Sequence, residues 1–329
     1  MKTLFYVICA KAAIRHNRVM DTRTRLISLR LAALGLRLFS TIAPAIAGRC
    51  AAHLWFTPLR KAPDEACGDL ASSSSVKVIG GLRLRSWGGE DGPLVVFVHG
   101  WGGRWDQGAA LIRTLVAEGC RVSAFDFPGH GESPGLSTDI AQWIAVLKGF
   151  DFGPAPVFVS HSFGFTAVAN AVLDGVPARG VVAINPPLGF PFFVEAFRRR
   201  AKVGLTVVPH LVRAIERLVP QARALTAVPV AALSRKVPLL YVADLNDREV
   251  PFALHRQAMD TLGDRFVTTE GFGHNRILGS KPLLEVVREF AMNPAGFRPS
   301  GFTHTVTSPG PGPKALVGDD GIEPPTYSV

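Results

Sequence analysis

Between Val76 and Met292 strand-like and helix-like stretches take turns, and this rhythm restricts the chain more than any other feature. PLVVFVHG (93–100) is an unbroken apolar run closed by glycine, as a strand buried on both faces requires. Val76 to Gly88 reads as a hairpin turning at Gly80-Gly81, and further strands are expected at 121–125, 157–159 and 180–184. Helices are expected at 109–118, 140–148 and 163–173. A last strand precedes Asp244, another precedes Gly273, and a helix over 282–292 closes the series. Strands separated by helices imply an α/β class, with a mostly parallel central sheet, flanking helices and right-handed crossovers. From Pro186 to about Lys236 no strand pattern survives, so that stretch reads as an inserted helical cap.

The two ends differ from this body. Of the 36 Lys and Arg, eleven lie in residues 1–61 against one acid, Asp21, which leaves 25 basic and 25 acidic groups for the rest. The formal charge of +10 therefore belongs to the leader, and a neutral body has no field for nucleic acid. Residues 1–63 are expected to be a basic, apolar, helical leader, in which Arg23, Arg30 and Arg37 form one stripe. Packing on the body, lying on an anionic membrane surface and spanning a bilayer all remain open for it; its uncharged run is short for a span. A cytoplasmic protein with peripheral membrane contact fits this pattern, and Met1 and Met20 are both candidate starts. Residues 64–294 form the expected α/β domain, with the cap at 186–236. From Ala295 onward Pro, Gly, Ser and Thr dominate, as in a disordered tail. The four cysteines show no C-x-x-C spacing, which suggests reduced thiols with neither disulfides nor zinc. No phosphate-binding glycine loop or dinucleotide fingerprint is present, so no cofactor and no metal is expected.

PVFVSHSFGF (156–165) carries the chemistry. A buried strand that stops at a serine and passes straight into a helix is a nucleophile elbow, usually written G-x-S-x-G. Here Ser160 replaces the first glycine. Serine is small enough for the turn, and Gly164 meets the second requirement. Ser162 is the candidate nucleophile, although read alone it would also serve as the N-cap of the following helix.

Three further loops follow strand ends: His99-Gly100-Trp101-Gly102-Gly103, Asp244 to Asp247, and Gly273-His274. With FVHGWGG, DFPGHGES, SHSFG, DREVP and GFGHNR in this order and spacing, the chain resembles the α/β-hydrolase superfamily, of the serine esterase and lipase type. The resemblance covers roughly 76–292. It implies the α/β-hydrolase fold and a Ser-Asp-His triad in which Ser162 attacks, His274 takes its proton and Asp247 orients the ring. Of the histidines after the acid loop, His255 falls within a helix and His304 in the tail. Val250-Pro251 favours Asp247 over Asp244, because the family's acid precedes such a pair. The resemblance also implies an oxyanion hole from the backbone N–H groups of Trp101 and Phe163. His99 and His130 are expected to brace loops, and Asp126 to tie the Gly129-His130-Gly131 turn.

Phe190, Phe192 and Phe193 at the start of the cap are candidate pocket residues for a small apolar ester or acyl substrate. Two other readings stay open: acyl transfer or C–C bond hydrolysis on the same triad, and a non-catalytic ligand-binding or membrane-associated protein on a hydrolase scaffold. Dehalogenase and epoxide-hydrolase chemistry is disfavoured, since those relatives carry aspartate where Ser162 stands.

Overall fold

The central sheet has eight strands in the order β1-β2-β4-β3-β5-β6-β7-β8, seen in a computed structural model that describes residues 40–299. The strands are β1 (Ser75–Ile79), β2 (Leu82–Trp87), β3 (Leu94–Val98), β4 (Arg121–Ala124), β5 (Val157–His161), β6 (Gly180–Ile184), β7 (Leu239–Asp244) and β8 (Phe266–Thr269). β1 and β2 form the antiparallel hairpin, turning on Gly80 (φ 57°) and Gly81 (φ 82°), both in the left-handed region that a two-residue hairpin turn demands. β2 also pairs antiparallel with β4, and every other pairing is parallel. β3, β5, β6 and β7 are buried along their whole length, which is why β3 and β6 are apolar without alternation and β5 and β7 carry Ser, His or Asp only at their C-terminal ends.

Twelve helices accompany the strands in the described residues. α1 (Pro44–Trp55) and α2 (Gly68–Ser72) precede the sheet. α3 (Ala109–Ala117), α4 (Ile140–Gly149) and α5 (Phe163–Leu173) are the crossovers between parallel strands. α5 is nearly all small or apolar residues, and eight of its eleven are buried, so it lies tight against the sheet. Four helices fill the interval between β6 and β7: α6 (Phe190–Ala201), α7 (Val208–Leu218), α8 (Ala222–Thr226) and α9 (Val230–Lys236). No strand interrupts them, as the sequence suggested. α10 (Arg256–Leu262), α11 (Gly273–Arg276) and α12 (Lys281–Met292) complete the chain.

Two differences from the sequence reading matter for the site. β5 runs to His161, two residues further than expected, because Ser160 and His161 continue the ladder opposite Ala183 and Ile184. The boundary after residue 63 does not coincide with a break in packing. Ala47, Ala51 and Ala52 of α1 are at most 1% exposed, and α1 lies against α7. Their axes approach so closely at Gly48 that a Cβ there would collide with Cβ of His210 and come within 2.8 Å of the Leu211 nitrogen. Beyond α1, Phe56 accepts from the Thr138 backbone N–H at 2.9 Å. Arg60 donates to the carbonyls of Gly131, Ser133 and Gly135. Residues 44–60 are thus part of the body, and at the other end Phe297 is buried against Phe290. The arginine stripe at 23–37, the alternative start at Met20 and the tail beyond Pro299 lie outside the described residues. No helix among the described residues is long and apolar enough to cross a membrane.

Candidate active site

Ser162 stands at the end of β5 with φ 51° and ψ −128°, a conformation that costs a non-glycine residue about 1–3 kcal/mol. The surrounding bonds hold it there. Its N–H donates to the Ile184 carbonyl at 2.9 Å, and its carbonyl accepts from Phe165 at 3.0 Å. The tightness of the turn explains Gly164: a Cβ at that position would lie 2.5 Å from the His99 carbonyl oxygen and 2.8 Å from that of Val98. Ser160, the departure from the usual elbow, is fully buried and donates through Oγ to the Val182 carbonyl at 2.6 Å. Its hydroxyl is satisfied across the sheet, so the extra atom neither crowds the turn nor stays unpaired. Ser162 does not cap α5 with its side chain.

The loops after β7 and β8 bring the other two candidates to it. His274 Nε2 lies 2.9 Å from Ser162 Oγ, and His274 Nδ1 lies 2.7 Å from Asp247 Oδ2. The carboxylate can only accept, so Nδ1 carries the proton and Nε2 is free to accept from the serine hydroxyl. The other Asp247 oxygen accepts from the backbone of Glu249 and Val250, at 2.7 and 2.9 Å. Burial pushes this carboxyl up, but the His274 hydrogen bond and charge together with the two backbone donors outweigh it and hold Asp247 below its usual range.

Asp244 sits in the same loop and has a different task. It accepts from the backbone of Asn246, Phe272 and Gly273 and from the Thr269 hydroxyl, which shapes the loop that carries His274. His255 is buried against the Tyr241 hydroxyl, 2.8 Å away, and does not reach the serine. His99 and His130 clamp the loop after β3 to the loop after β4. His99 Nε2 accepts from Phe127 N–H at 3.0 Å, and His130 Nε2 accepts from Gly102 N–H at 2.9 Å. Desolvation holds them neutral, down to about 4 and about 3 respectively. Asp126 accepts from the Trp105 and Glu132 backbones, and a Cβ on Gly131 would overlap its carboxylate.

Trp101 and Phe163 flank the serine, and their rings meet edge to face at 5.6 Å. Their backbone N–H groups have no acceptor among the described residues. Both residues line a small cavity of about 30 Å³. Phe190 and Phe193 line it too, with Phe193 edge-on to Phe163 at 5.3 Å. Phe192 does not. On a helix the residue two places after Phe190 points about 200° away, so Phe192 packs on Phe193 outside the lining. The remaining wall comes from α1 and its end, Trp55 and Phe56, from Ile140 of α4, and from Val219, Ala222 and Thr226 of the inserted stretch. The acid in the wall is Asp139, which caps α4 by accepting from Gln142 N–H.

Sequence reasoning missed two positioning residues. His161 donates through Nε2 to the His274 carbonyl at 2.8 Å, and burial holds it neutral, at about 3. Asn185 (φ 44°, fully buried) donates to the carbonyls of Gly273 and His274 and accepts from Asp244 N–H. An asparagine at a strand end is among the few residue types that tolerate that backbone, and this was the available signal.

Known proteins resemble this arrangement. A family model described as alpha/beta hydrolase matches residues 95–289, more than half of the chain. An uncharacterized protein of Mycobacterium tuberculosis is 26% identical over 281 residues, covering 76% of this chain and 92% of its own. A non-heme chloroperoxidase of Burkholderia pyrrocinia is 36% identical over 119 residues, 32% of this chain and 42% of that protein. Among solved structures, an esterase of Pyrococcus furiosus superposes with a TM-score of 0.55 at 20% identity, covering 73% of this chain and 98% of that one.

Proposed function

Because the chain belongs to the alpha/beta hydrolase family, we propose that it hydrolyses carboxylic esters of apolar acyl groups through an acyl-enzyme on Ser162. One observation carries this reading: the unbroken hydrogen-bond chain from Asp247 through His274 to Ser162, at 2.7 and 2.9 Å, ending on a strained elbow.

In the proposed reaction Ser162 Oγ attacks the ester carbonyl carbon as its proton passes to His274 Nε2. Asp247 stabilises the resulting imidazolium and keeps the ring in the productive tautomer. Negative charge gathers on the former carbonyl oxygen, where the N–H groups of Trp101 and Phe163 can receive it. The alcohol leaves with the proton from Nε2. A water then gives its proton to Nε2, attacks the acyl carbon, and the acid departs as Ser162 recovers its hydrogen. The apolar lining suits the acyl chain, and Asp139 in the wall disfavours an anionic one.

A fluorophosphonate, which traps an activated serine, tests the reading. The wild-type chain is expected to be labelled on Ser162, and Ser162→Ala to lose both labelling and p-nitrophenyl ester turnover. An unlabelled wild type, or a labelled Ser162→Ala, overturns it.

A further inference from the structure

The outer side of the α1–α7 pair carries a groove that ester chemistry does not use. Ala45 and Arg49 form one wall, and His210, Arg213, Ala214 and Arg217 the other. Leu211 and Ile215 of α7 are buried, whereas Arg213 and Arg217, about half a turn away, are exposed on the side turned from the catalytic cavity.

The charges here are unbalanced. α1 has no acid, and the one carboxylate of α7, Glu216, is held by Arg223 at 3.0 Å. Arg49, Arg213 and Arg217 have no acidic partner among the described residues. Three guanidiniums around one concavity repel each other until an anion joins them, and their forked donors match phosphate oxygens.

A second observation indicates where the anion comes from. Ile42 is 82% exposed and Leu205 68%. Both stand at the N-terminal end of the helix pair, where Thr206 donates to the Ser40 carbonyl at 3.4 Å. The 39 residues before Ser40, which hold eight Lys and Arg and one acid, join the fold at this same end. Exposed aliphatic side chains at one end of a helix pair that carries unpaired arginines are the kind of groups that lie at a bilayer interface, with apolar side chains inserted and cations at the headgroups.

We propose that the α1–α7 groove binds the phosphate of an anionic phospholipid and docks this end of the molecule on a membrane surface. Flotation of the full chain with vesicles tests it. Binding is expected on mixed phosphatidylcholine–phosphatidylglycerol vesicles and not on phosphatidylcholine alone. The double variant Arg213→Glu, Arg217→Glu is expected to partition roughly tenfold less, or weaker still. The control Lys77→Glu, Arg256→Glu makes the same change in net charge at exposed sites elsewhere and is expected to bind nearly as wild type. Melting temperature and turnover of a soluble ester verify that each variant is folded. Equal loss in both double variants would reduce the effect to general electrostatics, and no loss in the first would assign binding to residues 1–39; either result overturns the groove. So does tight binding of inorganic phosphate to the wild type with no vesicle binding, which would make the ligand a free phosphate.

Discussion

The ring of His161 holds the main chain of His274: Nε2–H donates to its carbonyl oxygen across 2.8 Å. The side chain next to Ser162 thus sets the position of His274, and its own Nδ1 is buried without a partner. His161→Phe keeps most of the volume and removes the donor. It is expected to lower kcat by about tenfold to a hundredfold with little change in KM, since misplacing the base by a fraction of an ångström is felt in the chemical step. His161→Gln, which retains an N–H donor, should recover much of the loss. Wild-type kcat in a folded His161→Phe protein would show that the ring merely fills space.

The two aspartates of the β7 loop should separate cleanly. Asp247→Asn removes the acceptor that fixes the His274 tautomer, and kcat is expected to fall by roughly 10³–10⁴ with a nearly unchanged melting temperature. Asp244→Asn leaves one acceptor oxygen for four donors and is expected to cost about 1–3 kcal/mol of stability while keeping measurable turnover. Kinetics and thermal melts on the two variants decide the matter, and a folded Asp244→Asn that is the deader of the pair would reverse the roles.

The lining of the cavity predicts a chain-length profile. Each methylene buried there is worth up to about 0.8 kcal/mol, so kcat/KM for p-nitrophenyl esters is expected to climb several-fold per carbon from acetate until the small cavity is full, and then level off. Phe193→Ala should flatten the climb, whereas Phe192→Ala, outside the lining, should leave its slope alone. A series in which acetate is best would mean that the inserted helices close the cavity to acyl chains.

Much of this was legible in advance, for physical reasons that can be named. Fully buried strands are apolar without interruption, so β3 and β6 were readable nearly to the residue. The elbow is constrained by sterics that admit few residue types, and the order serine, acid, histidine follows from the order of the strands. Charge was the misleading guide. The excess of arginine stops near residue 61, and a boundary was drawn after 63, yet Ala47, Gly48, Ala51 and Ala52 have the spacing of a helix face that lets another helix come close. Trp55 and Phe56 were consequently absent from the expected pocket. Asn185 and His161 act through main-chain carbonyls distant in sequence, which no local pattern encodes.

Acid should destabilise the protein earlier than its carboxylates alone would. In the unfolded chain an imidazole takes a proton near pH 6.5. In the folded protein His99 does so only at about 4, and His130 and His161 at about 3, because burial disfavours the charged ring. Between these limits the unfolded state binds more protons. The contribution of each ring is therefore complete above pH 6.5 and declines as pH falls, by about 1.4 kcal/mol per pH unit per ring. Asp247, held low, adds a loss in the same direction at still lower pH. Urea midpoints from pH 7.5 to 5 check this, and a flat profile would contradict neutral, buried histidines.

The contact between Gly48 and His210 spans about 160 residues of chain, and this bears on how the protein is made. At roughly 5–20 residues per second, α1 leaves the ribosome on the order of ten to thirty seconds before α7 exists. Throughout that interval its alanine face has no partner, while the sheet between the two helices is still being laid down. Closing the α1–α7 pair is therefore among the late steps of maturation. A nascent chain stalled before residue 208 would carry Ser162 just beyond β5 but neither α7 nor His274, so the hydrogen-bond chain of the proposed site is still incomplete at that stage.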